Sequence, residues 1–306
     1  MNIVNILISY IVFPGFLFAA VIGLFITWID RKVTARVQMR VGPPWYQPYA
    51  DFLKLLLKET IIPEGASKTF FLLGPMIGLV AMSIFSVMLF SMNFNPESSF
   101  VGDVIVMIYL LALPPIGIII GGSASKNPLA SVGASREMTQ FFAYELPFYI
   151  VLATIILKAG GTIRFGEIIR VQQAQGPFLY SLSGVIGAIV ILLSTQAKLS
   201  FVPFDIPEAE QEVMAGPYIE YSGVALAMYK LTRAMMYFLM PLFLISLLWG
   251  GLTNWWAILK FLLIIVLIVL IKNTNPRLRI DQALKFFWVG IGTLSIIGLI
   301  LAFYNL

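Results

Sequence analysis

The 306-residue chain has no cysteine and no histidine. It therefore holds no disulfide, no cysteine-ligated iron–sulfur cluster and no histidine-ligated haem or zinc ion of its own. We expect no catalytic residue, no metal site and no cofactor bound by this chain; if electrons move nearby, they travel in other chains. Charge is also scarce. Asp, Glu, Lys and Arg make up 11% of the residues, and only 15 are acidic, against about a quarter in ordinary soluble domains. The net charge of +5 is no sign of nucleic-acid binding, because no Arg/Lys stripe alternates with exposed aromatics on a polar scaffold.

What fills the chain is apolar: 59% of the residues. Eight runs are long enough to cross ~30 Å of hydrocarbon. They cover Ile3–Ile29, Phe70–Met92, Gly102–Gly122, Met138–Leu157, Phe178–Ala197, Ser222–Trp249, Trp255–Ile271 and Phe286–Tyr304. The composition predicts an all-α polytopic membrane protein, with residues 1–306 as one transmembrane domain. The first run lacks a basic leader and reads as a true span. No internal repeat or matched pair of broken helices is visible, which argues against a stand-alone inverted-repeat transporter.

Loops after spans one, three, five and seven hold 14 Lys and Arg, and the opposite loops hold four. The positive-inside rule puts the first set in the cytoplasm and both termini outside. The cytoplasmic loops are then about 30–69, 123–135, 198–221 and 272–285. In the first, Lys32, Arg36 and Arg40 keep a helical stride, and Gly42-Pro43-Pro44 stops it. Tyr49–Glu59 reads as an interfacial amphipathic helix: Phe52, Leu53, Leu56 and Leu57 are apolar, and Asp51, Lys54 and Lys58 are polar.

The loop at Ser200–Gly223 is the chemically densest stretch. Asp205, Glu208, Glu210, Glu212 and Glu220 are a third of all the acidic residues. Pro203, Pro207 and Pro217 interrupt regular helix. Pro207 is placed to open a short helix with Asp205, Glu208 and Glu212 on one face. Carboxylates crowded near low dielectric have raised pKa values, which suits proton or cation handling; a solvated acidic loop is the plainer alternative.

Two spans carry charge into the membrane. Glu145, in Tyr144-Glu145-Leu146-Pro147, lies nine residues past Arg136, or ~13 Å along the helix. Lys230 and Arg233 lie ~12 and ~16 Å into the sixth span. All three enter from the cytoplasmic side, so a buried pair between Glu145 and one of these cations is expected.

Several of these stretches resemble one family. Pro203-Phe204-Asp205-Ile206-Pro207-Glu208-Ala209-Glu210-Gln211-Glu212, Gly216 and Glu220-Tyr221-Ser222-Gly223 look like the membrane subunit that joins the two arms of complex I. So do Arg40-Val41-Gly42-Pro43, Tyr144-Glu145-Leu146-Pro147 and Pro276-Arg277-Leu278-Arg279-Ile280-Asp281-Gln282. That is the H subunit of bacterial NADH:quinone oxidoreductase, with its equivalents in energy-converting membrane-bound hydrogenases and their sulfur-reducing relatives. The quinone branch carries Ala-Glu-x-Asn-Arg-Ala before Pro-Phe-Asp. Here the places read Ala197-Lys198-Leu199-Ser200-Phe201-Val202, and Arg233 stands where that branch has Glu. The loop after Gly42-Pro43 is also short. These departures favour the ferredoxin-linked hydrogenase branch or its sulfur-reducing relatives.

The resemblance implies a coupling subunit of a prokaryotic plasma-membrane respiratory complex. Partners would be hydrogenase-like soluble subunits carrying iron–sulfur clusters, with a nickel–iron centre in the hydrogenase branch, and antiporter-like membrane subunits. Glu145, Asp205, Glu208, Glu210, Glu212, Glu220, Lys230 and Arg233 would start a proton or sodium relay. Arg36, Arg40, Lys54, Arg277 and Arg279 would dock the soluble arm. The alternatives are a quinone-binding H subunit, a stand-alone secondary ion transporter, and a purely structural anchor whose buried charges only pair.

Overall fold

The computed structural model describes residues 3–304, so four positions of the 1–306 reading lie outside the described residues. Among the described residues the chain is helical and has no strand. Seven helical stretches are long and apolar enough to span a membrane, and Leu182–Lys198 is a shorter apolar helix. These correspond to the eight runs expected.

The first run is not one continuous helix. It divides into α1 (Ile3–Ile11) and α2 (Phe16–Val37). Pro14 separates them because its ring removes an N–H and crowds the preceding turn. The carbonyl freed at Pro14 accepts from Ser86 Oγ at 2.6 Å. The basic stride after α2 is also shorter than expected: α2 ends at Val37 and Met39 takes a positive φ of 56°. Arg40 therefore lies past the helix end, off the face shared by Lys32 and Arg36.

The interfacial helix α3 spans Gln47–Leu57. Next come α4 (Lys68–Phe94) and α5 (Asp103–Ala124), packed as a hairpin. Gly74 and Gly117 allow their close approach: a Cβ on Gly117 would lie 2.4 Å from the Gly74 carbonyl, the small-residue contact typical of membrane helices.

The expected loop 123–135 is mostly helix. Asn127 caps α6 (Pro128–Lys158) by accepting from Leu129 N at 2.9 Å, and proline at the first position pre-sets its backbone. At 31 residues α6 is ~46 Å long, more than the hydrocarbon needs, so its first turns project beyond the span. On the opposite side lies α7 (Phe165–Gln175), which the apolar runs did not reveal. The buried Asp103 carboxylate accepts from Phe165 N at 2.7 Å and from Ser99 Oγ, fixing the start of α7.

Ser181 caps α8 (Leu182–Lys198). A single turn, α9 (Glu210–Val213), interrupts the acidic loop. The long helix α10 (Gly223–Leu248) is enclosed by its neighbours: 94% of its most apolar 18-residue window is buried. At its start Gly223 has φ +58°, and a Cβ there would lie 2.5 Å from the Lys58 carbonyl. That close contact presses the segment after α3 onto α10, where Val224 N donates to Thr60 Oγ1 at 3.1 Å. The chain closes with α11 (Trp256–Thr274), α12 (Ile280–Lys285), a π-helical stretch at Phe286–Ile291 and α13 (Gly292–Phe303).

Candidate functional site

The acidic loop is a lodged segment. Two buried amides hold its backbone. Gln140 Nε2 donates to the carbonyls of Ala197 and Phe204, at 3.1 and 2.8 Å. Gln196 Nε2 donates to that of Val202 at 2.7 Å. Leu278 N reaches the Pro203 carbonyl at 3.1 Å. Pro207 does not open a helix, contrary to the expectation. Residues 205–209 are irregular and α9 begins only at Glu210.

The reason is that the carboxylates are drawn to different neighbours. Asp205 meets Arg277 Nε at 2.8 Å, and Glu208 meets Arg233 at 2.9 Å. Glu212 pairs with Arg136 of α6. Glu220 accepts from Asn127 Nδ2. Glu210 is exposed and makes no ion pair among the described residues. The expected like-charge cluster is thus a set of separate contacts. Asp205 has its carboxyl pushed above the usual range: burial is the main cause, opposed first by Arg277.

Glu145 does not pair with Lys230 or Arg233. Its partner is Lys198, the last residue of α8. Both side chains are buried, 5% and 0% exposed. The Lys198 ammonium also lies 4.8 Å from the ring centres of Tyr144 and Phe148. Glu145 Oε2 is buried with no hydrogen-bond partner. Lys198 stands at a helix end and counts as a loop cation in the sequence. Helical side chains point back toward the N-terminus, so its ammonium instead enters the seam between α6 and α8.

Arg233 is occupied elsewhere. Besides Glu208, it donates to the carbonyls of Leu199 and Ser200, at 2.8 and 2.9 Å. Lys230 is exposed, so it needs no buried partner.

Three further charged groups escaped the sequence reading. Asp30 meets Lys272 at 2.8 Å. Glu137 on α6 is 1% exposed and lies in the field of Glu208 and Arg233. Its signal was present: Glu137, Gln140 and Tyr144 share one face at i, i+3, i+7. Asp30 and Lys272 carried no such signal, since each sits at the end of an apolar run.

The predicted docking residues are on the surface. Arg36, Arg40, Lys54, Arg277 and Arg279 are exposed. Arg277 is also committed to Asp205, and lines a 430 Å³ basin with Arg136 and Arg279.

Between α2, α3 and α10 lies a cavity of about 510 Å³. On the other side of Lys230 and Arg233 is a second, of about 420 Å³, walled by Glu208, Tyr218, Tyr221 and Tyr229. Arg31 bridges α2 to α3 by its 2.9 Å contact with Asp51. Among the described residues no three Asp or Glu side chains converge as a metal site.

Fold and site together define a polytopic helical membrane protein with ion pairs running from surface cavities into the helix bundle. The profile of the NADH dehydrogenase family matches residues 9–303, and the chain belongs to that family, which holds the H subunit of complex I. It is 31% identical over 318 residues to the H subunit of NADH-quinone oxidoreductase from Dehalococcoides mccartyi (strain CBDB1), covering 99% of this chain and 87% of the relative. It is 33% identical over 306 residues to the corresponding protein of Brevibacillus brevis (strain 47 / JCM 6285 / NBRC 100599), covering 91% and 88%. Among solved structures it resembles a chain of the membrane-bound sulfane sulfur reductase, an archaeal respiratory membrane complex. The TM-score is 0.86 at 29% identity, over 97% of this chain and 99% of that one.

Proposed function

We propose that this chain is the membrane anchor and coupling subunit of a complex I-like respiratory complex, of the hydrogenase or sulfur-reducing type. It carries the energy of electron transfer in a docked, cluster-bearing arm to proton or sodium movement in neighbouring membrane subunits. Likeness to the sulfane sulfur reductase chain supports the assignment to a complex. The observation that carries the reading is Lys198. The residue that departs from the quinone-branch pattern is the one that neutralises a buried carboxylate in the middle of α6, Glu145. Arg233, the second departure, lines both cavities and pairs with Glu208, which lines the second. A relay needs titratable groups arrayed from the docking face inward; Asp30, Glu208 and Glu145, each paired with a cation, and the buried Glu137 in the field of Glu208 and Arg233 are the groups we assign to it. Both termini would face outward and the acidic loop inward, in a prokaryotic plasma membrane.

The experiment is mass spectrometry of the native complex, combined with ion transport per electron in reconstituted vesicles. Co-purification with iron–sulfur subunits and loss of transport in Glu145→Gln are expected. A chain that purifies without such partners and still transports ions alone is a transporter, and the proposal fails.

A quinone-binding role is favoured by one observation, the 510 Å³ cavity with Phe52, Phe201 and Tyr237 in its wall. Its test is reduction of an added quinone by the purified complex, blocked when Phe201→Trp fills the cavity.

A further inference from the structure

The cavity between α2, α3 and α10 carries more positive charge than its own acids neutralise. Five basic side chains line it, Arg31, Lys54, Lys58, Lys230 and Arg233, against two acidic ones, Asp30 and Asp51. Asp51 is taken by Arg31, Asp30 by Lys272 from outside the lining, and Arg233 by Glu208. Lys54, Lys58 and Lys230 remain exposed and without an ion-pair partner among the described residues. Three cations bordering one opening repel one another until an anion sits among them.

Beside the paired charges of Asp30, Arg31, Asp51 and Arg233, Leu24, Phe52, Leu55 and Ala234 give the lining an apolar wall. Tyr237, seven residues past Lys230 on α10, also lines it, ~10 Å further along the helix. A basic mouth and an apolar depth match an amphiphile with an anionic head and a hydrocarbon chain. The bilayer is the source at hand. Leu53, Leu56 and Leu57 of α3 are exposed, which sets this helix at the level of the headgroups, where basic residues attract anionic lipid.

We infer that this cavity binds an anionic phospholipid, with the phosphate among Lys54, Lys58 and Lys230 and an acyl chain along Leu24, Leu55 and Ala234. A neutral quinone, the alternative occupant of this same cavity, would leave all three cations unpaired. A free phosphate has no use for the apolar depth. The inference stands whether or not the ion pairs act as a relay.

The test is native mass spectrometry of the detergent-purified complex after adding phosphatidylglycerol, phosphatidylcholine or glycerol 3-phosphate. The wild type is expected to retain one more phosphatidylglycerol than the Lys54→Gln, Lys58→Gln, Lys230→Gln triple variant, and to show no such difference with phosphatidylcholine. Leu55→Trp fills the apolar depth and keeps all three lysines, so it separates lost binding from a lost docking surface; it too should lose the lipid. Equal phosphatidylglycerol retention by the three proteins overturns the inference. So does phosphatidylcholine held as well as phosphatidylglycerol. Displacement of the lipid by glycerol 3-phosphate assigns the lysines to a soluble anion and overturns it as well.

Discussion

Lys198, at the end of α8, places its ammonium on Glu145 in the middle of α6, and neither side chain reaches solvent. The pair closes the seam between the two helices, with the rings of Tyr144 and Phe148 flanking the cation. Glu145→Gln would leave Lys198 charged with no counter-ion. Breaking a buried pair from one side costs ~3–5 kcal/mol. The single variant should therefore lose yield and thermal stability of the complex. Glu145→Gln with Lys198→Met should recover both, because an apolar replacement of the whole pair is tolerated. Ion transport per electron should stay low in the double variant if the carboxylate is a relay group. Recovered transport would make the pair structural only.

Asp205 gives a pH dependence of one sign. Burial raises its folded-state pKa, with Arg277 the main opposing influence. A carboxyl raised on folding contributes stability that is complete below the unfolded value of ~3.9 and is lost as pH rises through the folded value. Arg277→Gln should raise the folded value further. It should lower the melting temperature at neutral pH and have little effect below pH ~3.9. A uniform loss at all pH values would mean that Arg277 acts by packing alone.

Asp51 gives the opposite sign. Its burial is the largest single influence and would raise the pKa. Hydrogen bonds from Arg31 and Gln47 and the charges of Arg31 and Lys54 together outweigh it and hold the value below the usual range. The clamp between α2 and α3 is then complete above the unfolded value of ~3.9 and is lost as pH falls through the folded value. The protection of the α3 amides from hydrogen exchange, taken relative to the intrinsic rate at each pH, should fall below that pH in the wild type. Asp51→Asn should show the lower protection at every pH.

Two acidic residues of the same loop should differ sharply. The Arg136–Glu212 pair is open to solvent, 24% and 57% exposed, so Glu212→Gln should change stability by less than ~1 kcal/mol. Glu208 is less exposed, at 24%, and is the carboxylate on Arg233. Glu208→Gln keeps an acceptor but removes the carboxylate charge from a bond to Arg233, and bonds to charged groups are worth ~1.5–3 kcal/mol, so its loss should be the larger. Thermal unfolding of the two purified variants side by side measures the difference. Equal losses would contradict the geometry.

Gly223 tests the seat of the segment after α3. Alanine there meets the Lys58 carbonyl and Thr60 Oγ1 inside contact distance, at a positive φ. Gly223→Ala should loosen residues 58–60 from α10, seen as faster proteolysis between α3 and α4. Unchanged cleavage would show that the backbone shifts without cost.

The sequence by itself determined the class of the protein and the placing of its spans. A hydrocarbon slab imposes one length and one polarity on every helix that crosses it, so eight apolar runs could be counted without contacts. It also located the acidic loop and the charged positions Glu145 and Arg233, because charge is conspicuous against an apolar background. Tertiary structure alone decided which charges meet. Depth along a helix placed Glu145 level with Lys230 and Arg233, but depth fixes one coordinate. Rotation about the helix axis and the reach of a long side chain fix the others. Those gave Glu145 to Lys198, Arg233 to Glu208 and Asp30 to Lys272, pairs that join residues 25 to 242 positions apart. Pairing in a bundle depends on how helices pack side by side, and no single helix records that in its own sequence.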